Sequence, residues 1–211
     1  MMRVFLAIYI CFCMNLIAEE TPTTPEAALK RLMTGNERYV HDALLHPDRT
    51  YERRQELKVS QNPFAIIVGC SDSRVSPEIV FDQGIGDLFV VRLAGNVIDP
   101  VALDSIYFAA QNLGASIVVV LGHENCSAVS AVLHHNDKDI PDIAKLIQPA
   151  VTAAEAEKSA NPLQSAVKMN VRMVVEQIKK FNSIPELMGK KKIDVIGGYY
   201  HLGSGEVELI K

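Results

Sequence analysis

Short, largely apolar segments separated by helix-like stretches are the feature of this sequence that most restricts its fold. Four of them have the length of strands: FAIIVG (64–69), DLFVVRLA (87–94), SIVVVL (116–121) and residues 193–199. A strand that is apolar on both faces has to be covered on both faces, which is typical of a parallel sheet between layers of helices. The sequence therefore predicts one α/β domain with a central, mostly parallel sheet of four to five strands, flanked by helices.

Helix signals fall before and between these strands. Thr24-Pro25 reads as an N-cap followed by proline at the first helical position, and Asp99-Pro100 starts a second helix. A helix-rich stretch runs from 140 to 181, and we expect it to be broken near Pro149 and near Asn161-Pro162, because proline removes a helical hydrogen bond. Residues 206–210 are predicted as a fifth strand.

The first residues differ in character from the rest of the chain. A short basic start, Met1 to Arg3, precedes an almost unbroken apolar run over 4–18 and then the polar pair Glu19-Glu20. This is the pattern of a secretory signal, and the apolar run is short for a membrane span of about 20 residues. An uncleaved anchor is the alternative interpretation.

We therefore divide the chain into a signal peptide (1–18), an N-terminal helical arm (19–60) and an α/β core (61–211). The mature protein is expected to be exported, to the periplasm or, without an outer membrane, to the medium. No stable membrane association is expected after removal of the leader. With 25 acidic against 21 basic residues and Lys190-Lys191-Lys192 as the one dense basic run, a nucleic-acid partner is not expected either.

Chemically distinctive residues follow the first and third predicted strands. The first strand ends in CSDSR, which contains Cys70, Asp72 and Arg74, and the third ends in GHENC, which contains His123 and Cys126. The carboxyl ends of parallel strands lie at one edge of the sheet, where ligands bind in such folds. If the two strands are neighbours, Cys70, His123 and Cys126 converge on one point.

Two thiolates and one imidazole form a ligand set suited to zinc. Three protein ligands are typical of a catalytic zinc site, because the fourth position stays open for water. Asp72 is the only evident fourth ligand, and whether it binds the metal in a resting state is left open by the sequence. A disulfide between Cys70 and Cys126 is the competing interpretation, but it leaves the neighbouring Asp, Arg and His unexplained.

Asp72 and Arg74 are close enough in sequence to pair within a tight loop. A bidentate contact from Arg74 would keep Asp72 ionised. Asp72 would then accept a hydrogen bond from a zinc-bound hydroxide and orient it toward substrate.

The CSDSR and HENC segments, together with VSPEIVFDQGIGDLFVVRLAGNVI (75–98), resemble the β-carbonic anhydrase family. The similarity spans roughly residues 28–210 and implies the β-carbonic anhydrase fold. It also implies one zinc ion per subunit and assigns its ligands and the catalytic pair: Cys70, His123 and Cys126 as ligands, Asp72 and Arg74 as the dyad.

Gln83, in FDQG, matches a family position that hydrogen-bonds substrate from the neighbouring subunit, so the resemblance also implies a homodimer or homotetramer. The implied activity is zinc-dependent, reversible hydration of carbon dioxide to bicarbonate and a proton by zinc-hydroxide attack. A hydrolase of carbonyl sulfide or carbon disulfide on the same fold and a non-catalytic zinc module are the alternatives. Ser127 is a departure, because the family usually has glycine after the second cysteine.

Overall fold

The computed structural model of the protein describes residues 22–210, so the predicted signal peptide lies outside the described residues. The helices are α1 (Pro25–Val40), α2 (Tyr51–Glu56), α3 (Pro77–Val80), α4 (Pro100–Asn112), α5 (Ser127–Leu133), α6 (Pro141–Ala156), α7 (Pro162–Lys179) and α8 (Ile184–Gly189). The strands are β1 (Ala65–Gly69), β2 (Leu88–Arg92), β3 (Ile117–His123), β4 (Asp194–Tyr200) and β5 (Val207–Ile210), and a 3₁₀ turn covers Ala94–Asn96.

The strands form one sheet in the order β2-β1-β3-β4-β5. The first four strands are parallel to their neighbours, and β5 runs antiparallel to β4. This confirms the predicted α/β fold with a central, mostly parallel five-stranded sheet. Both β1 and β3 are buried along their whole length, as their uninterrupted apolar sequences require.

Alternate residues of the central strands face two different apolar cores. Ile66 and Val118 pack in the core that contains residues of α4 and α7, while Ile67 and Val119 pack in the core that contains Ala28 and other residues of α1. The side chains of a strand point alternately to its two faces, so each strand contributes to both cores. The sheet is thereby fixed between two helical layers.

The predicted helix starts are confirmed by their caps. The Thr24 side chain accepts a hydrogen bond from the Ala27 N–H, and the Asp99 side chain accepts one from Ala102. The expected break near Pro149 is wrong: α6 continues through this residue to Ala156. Proline removes one main-chain hydrogen bond, but Ala150 and Val151 beside it are fully buried, so packing keeps the helix continuous.

The N-terminal helix is tied to the core by a buried asparagine. Asn36 Nδ2 donates to the carbonyls of Val80 (3.0 Å) and Gly205 (2.8 Å), and its Oδ1 accepts from the Val207 N–H (2.9 Å). The division between arm and core at residue 60 stays a prediction. Across residues 22–210, every helix is too short or too polar to cross a membrane.

Candidate metal centre and active site

The sheet register brings the predicted ligands to one edge. Gly69 pairs with Leu121, so Cys70 lies one residue past the end of β1, beside the last residues of β3 and therefore close to His123. Cys126 is the N-cap residue of α5. The Sγ atoms of the two cysteines and a ring nitrogen of His123 all lie within 4.8 Å of one another, and all three residues are buried. Both thiols are free.

The protonation of His123 suits it for binding a metal. Its Nδ1 lies 2.8 Å from the Glu124 carbonyl oxygen, and because a carbonyl can only accept, Nδ1 carries the proton. The other ring nitrogen, Nε2, is buried without a hydrogen-bond partner. A lone pair in this position is costly unless something binds it. The two sulfurs beside it complete a nitrogen and sulfur set of the kind that binds zinc.

The two cysteines perturb each other strongly in the metal-free protein. The neighbouring Cys126 thiol is the largest influence on Cys70, and together with His123 and the Gly95 N–H it outweighs burial and lowers the pKa of Cys70 to about 4. The same closeness, added to burial, raises the pKa of Cys126. Without a cation the pair therefore favours one thiolate and one thiol, whereas a bound cation favours two thiolates.

Asp72 and Arg74 form the predicted bidentate pair. Arg74 Nε donates to Asp72 Oδ1 (2.9 Å) and Nη2 donates to Oδ2 (2.7 Å), while the Arg74 main-chain N–H also donates to Oδ1 (2.9 Å). The Arg74 side chain is the main reason that the pKa of Asp72 lies well below its usual range, against the opposing effect of burial. Asp72 is thus a carboxylate at neutral pH.

The sequence analysis missed two residues, Arg92 and Gly95, that hold the segment from Cys70 to Asp72 in place. Arg92, at the end of β2, donates to the carbonyls of Cys70 (2.9 Å) and Asp72 (2.7 Å). The N–H of Gly95 donates to Cys70 Sγ (3.2 Å). The sequence did contain a signal for Arg92: it is a cationic residue in the otherwise apolar strand β2, which ends at the same edge of the sheet as the cysteine–histidine cluster. Gly95 gave no such signal, because its role depends on the tertiary position of its N–H.

Gln83, the predicted substrate contact, lies buried in the segment that follows α3. It is 1% exposed and its Nε2 donates to the Phe81 carbonyl (2.7 Å), while its Oε1 is buried without a hydrogen-bond partner. Its substrate contact therefore stays a prediction. Ser127, where the resemblance led us to expect glycine, is the first residue of α5 and its side chain is exposed, so nothing in the fold requires glycine there.

Fold and site together define a metalloenzyme-type centre: three nitrogen and sulfur ligands at the carboxyl edge of an α/β sheet, beside an ionised carboxylate. A sequence profile described as carbonic anhydrase matches residues 65–207. The chain therefore belongs to the carbonic anhydrase family, in its β class.

Individual relatives agree with this assignment along most of the chain. A carbonic anhydrase of Mycolicibacterium smegmatis is 38% identical over 194 residues, which cover 89% of this chain and 94% of the relative. The β-carbonic anhydrase CafA of Aspergillus fumigatus is 27% identical, with a TM-score of 0.68 over 88% of this chain and 90% of that one. A chain from the crystal structures of two tetrameric β-carbonic anhydrases of Sordaria macrospora shares the fold at a TM-score of 0.68 and 21% identity, over 74% of this chain and 85% of that one.

Proposed function

We propose that this protein catalyses the reversible hydration of carbon dioxide to bicarbonate and a proton, with zinc held by Cys70, His123 and Cys126. The observation that carries the proposal is the combination at one sheet edge of a buried three-ligand set and a carboxylate already engaged by an arginine. A zinc ion bound there would lower the pKa of a coordinated water to about 7 and so provide a nucleophile at neutral pH.

The role of Asp72 follows from its position and charge. Its Oδ2 lies 3.8 Å from Nε2 of His123, which places the carboxylate beside the ligand set. Both of its oxygens accept hydrogen bonds from Arg74, which keeps the carboxylate from turning toward the ligands. With its pKa held low by Arg74, Asp72 acts as a hydrogen-bond acceptor that orients the reacting water, because so weak a base does not retain a proton.

The same contact argues against a non-catalytic zinc module. A structural site closes its fourth position with a protein ligand. Asp72 lies beside the ligand set, and its engagement with Arg74 would leave that position for water and substrate. Arg74 is itself 48% exposed in its side chain, so the site opens to solvent on this side.

We further infer that Gln83 contributes to substrate binding across a homodimer or homotetramer interface. Ile79 and Ile85, on either side of Gln83 in the chain, are 48% and 45% exposed and line one surface groove together with Gln83. Exposed apolar side chains that are grouped in this way favour an interface. Analytical ultracentrifugation of the mature protein tests this, with a sedimenting monomer at micromolar concentration as the opposing result. Gln83→Ala should raise KM for carbon dioxide without loss of zinc.

Export from the cytoplasm is also part of the proposal, and it is supported by the signal-like pattern of residues 1–18. Cell fractionation and the mass of the mature N-terminus test it. A protein that retains Met1 in the cytoplasmic fraction contradicts this part of the proposal and leaves the catalytic part untouched.

The decisive experiment is stopped-flow hydration of carbon dioxide by purified mature protein, with the zinc content measured on the same sample. We expect about one zinc per chain and turnover that is lost on metal removal and restored by zinc. A parallel assay with carbonyl sulfide separates the alternative hydrolase. Zinc-loaded protein that hydrates no carbon dioxide would overturn the proposal.

A further inference from the structure

Asn170 is the polar member of an otherwise apolar buried face of α7. It is 2% exposed, and the residues that share its face, Val167, Val171 and Val174, are buried aliphatic side chains. Burying an amide costs free energy unless it forms hydrogen bonds. The buried Asn170 amide therefore needs a hydrogen-bond partner.

That partner is the turn beside the metal centre. Asn170 Nδ2 donates to the Gly95 carbonyl at 2.8 Å. The N–H of the same glycine donates to Cys70 Sγ at 3.2 Å. Gly95 thus connects helix α7 to the sulfur of Cys70.

Gly95 needs an anchor outside its own turn. Its φ is +69°, a left-handed conformation that glycine adopts freely and that other residues avoid. A Cβ at this position would lie 2.7 Å from Ile147 Cδ1 and 3.3 Å from Ala128 Cβ. Only glycine suits position 95, and glycine is the residue with the most flexible main chain. The Gly95 N–H nevertheless has to keep a fixed direction toward Cys70 Sγ.

We propose that Asn170 is a positioning residue of the metal centre, which fixes Gly95 so that its N–H donates to the Cys70 sulfur. This inference rests on the proposed function in that a metal binds Cys70. An N–H donor at a metal-bound thiolate withdraws charge from the sulfur and strengthens its placement, and outer contacts of this kind contribute to metal affinity. Asn170 acts through Gly95 and touches neither metal nor substrate.

Cobalt-substituted protein tests the proposal, because the thiolate-to-cobalt charge-transfer band reports the charge on sulfur. In Asn170→Ala and the near-isosteric Asn170→Leu, neither of which can donate to the Gly95 carbonyl, we expect the band to move to longer wavelength, since a sulfur without its N–H donor gives up charge more easily. Zinc affinity, measured by competition with a chelator, should fall about tenfold.

Asn36→Ala is the matched control. Asn36 is equally buried and also bonds to main-chain groups, but those groups belong to Val80, Gly205 and Val207. This variant should lose stability and keep both the wild-type band and the wild-type zinc affinity. A purely structural role of Asn170 would give the same pattern in the Asn170 variants, and that result would overturn the proposal.

A measurement on the unmutated protein keeps the proposal testable if the Asn170 variants do not fold. In protein loaded with cadmium-113, the Gly95 amide proton should show scalar coupling to the metal through the Cys70 sulfur. Absence of this coupling overturns the proposal. Failure of wild-type protein to bind cobalt with a thiolate band overturns the proposed function as well, whereas a normal wild-type band that the Asn170 variants leave unchanged overturns this inference alone.

Discussion

The Asp72 carboxylate lies 3.8 Å from Nε2 of His123, yet both of its oxygens accept hydrogen bonds from Arg74. An ionised carboxylate so close to a zinc ligand set would itself be a good ligand. The arginine occupies the same oxygens, so under the proposed function this ion pair would keep a fourth coordination position open on a bound metal. Arg74 also reaches the Asn125 carbonyl at 3.3 Å, which connects the two ligand-bearing segments.

Replacement of Arg74 should separate metal binding from turnover. Arg74→Ala should retain zinc, because no ligand is removed, but kcat/KM for carbon dioxide hydration should fall about 100-fold or more, as expected for loss of a preorganised electrostatic contact. Arg74→Lys should recover little activity, because lysine cannot form the planar bidentate contact. Stopped-flow kinetics with zinc analysis checks this, and wild-type turnover by the alanine variant would remove the dyad from the mechanism.

Loss of a single ligand should abolish both metal and activity. Cys70→Ser and His123→Ala each leave two strong ligands, and we expect less than a tenth of the wild-type zinc content after dialysis, with no measurable hydration. His134→Ala is the matched control, because His134 is an exposed residue at the end of α5. Full zinc content in either ligand variant would show that the metal site lies elsewhere.

Much of the fold and of the site could be predicted because the determining signals are local. The apolar runs identify β1 and β3, and the rule that ligands gather at the carboxyl ends of parallel strands brings Cys70 to His123 and Cys126. The pairing of Asp72 with Arg74 follows from their spacing in one short loop. These inferences need only the neighbouring residues and the parallel arrangement of the strands.

Other features depend on tertiary contacts that have no local signature. Pro149 lies inside a continuous helix because of the packing around it, against its own preference. Asn170 contacts Gly95 across 75 positions of sequence, and its one local hint is an amide within an apolar helical stripe. The role proposed for Gln83 requires a second subunit, and within the single chain its amide donates to the Phe81 carbonyl.

A close approach of helix α1 to the segment after α3 predicts a large effect at Gly35. A Cβ on Gly35 would lie 1.8 Å from the Phe81 carbonyl oxygen, a contact with rigid main chain. Gly35→Ala should therefore destabilise the protein by about 3 kcal/mol or more, at the upper end of overpacking effects, even though alanine favours helix.

Gly189, at the end of α8, is the control for this substitution, because a Cβ there would meet nothing within 4 Å. Gly189→Ala should change the free energy of unfolding by less than about 1 kcal/mol, and in the stabilising direction. Urea denaturation of both variants gives the comparison. Equal stability of the two variants would contradict the close packing of α1 against Phe81.

Asp82 anchors the N-terminal arm to the core. This fully buried carboxylate accepts hydrogen bonds from the main-chain N–H groups of Leu45 (2.9 Å) and His46 (3.1 Å) and from Arg38 Nε (2.7 Å). Burial alone would raise the pKa of Asp82, but these donors together hold it below the ordinary value of 3.8. The ionised form is thus favoured in the folded protein.

A carboxyl group whose pKa is lowered by folding contributes stability above its unfolded pKa, and this contribution is lost as the pH falls through the folded pKa. Asp82→Asn should therefore cost about 1–3 kcal/mol at pH 7, and the difference from wild type should shrink as the pH falls below 4. Urea denaturation of both proteins in excess chelator measures this without interference from metal release. A constant difference between wild type and Asp82→Asn from pH 7 to pH 3 would contradict the assignment, since the stabilising contacts would then not require the charge.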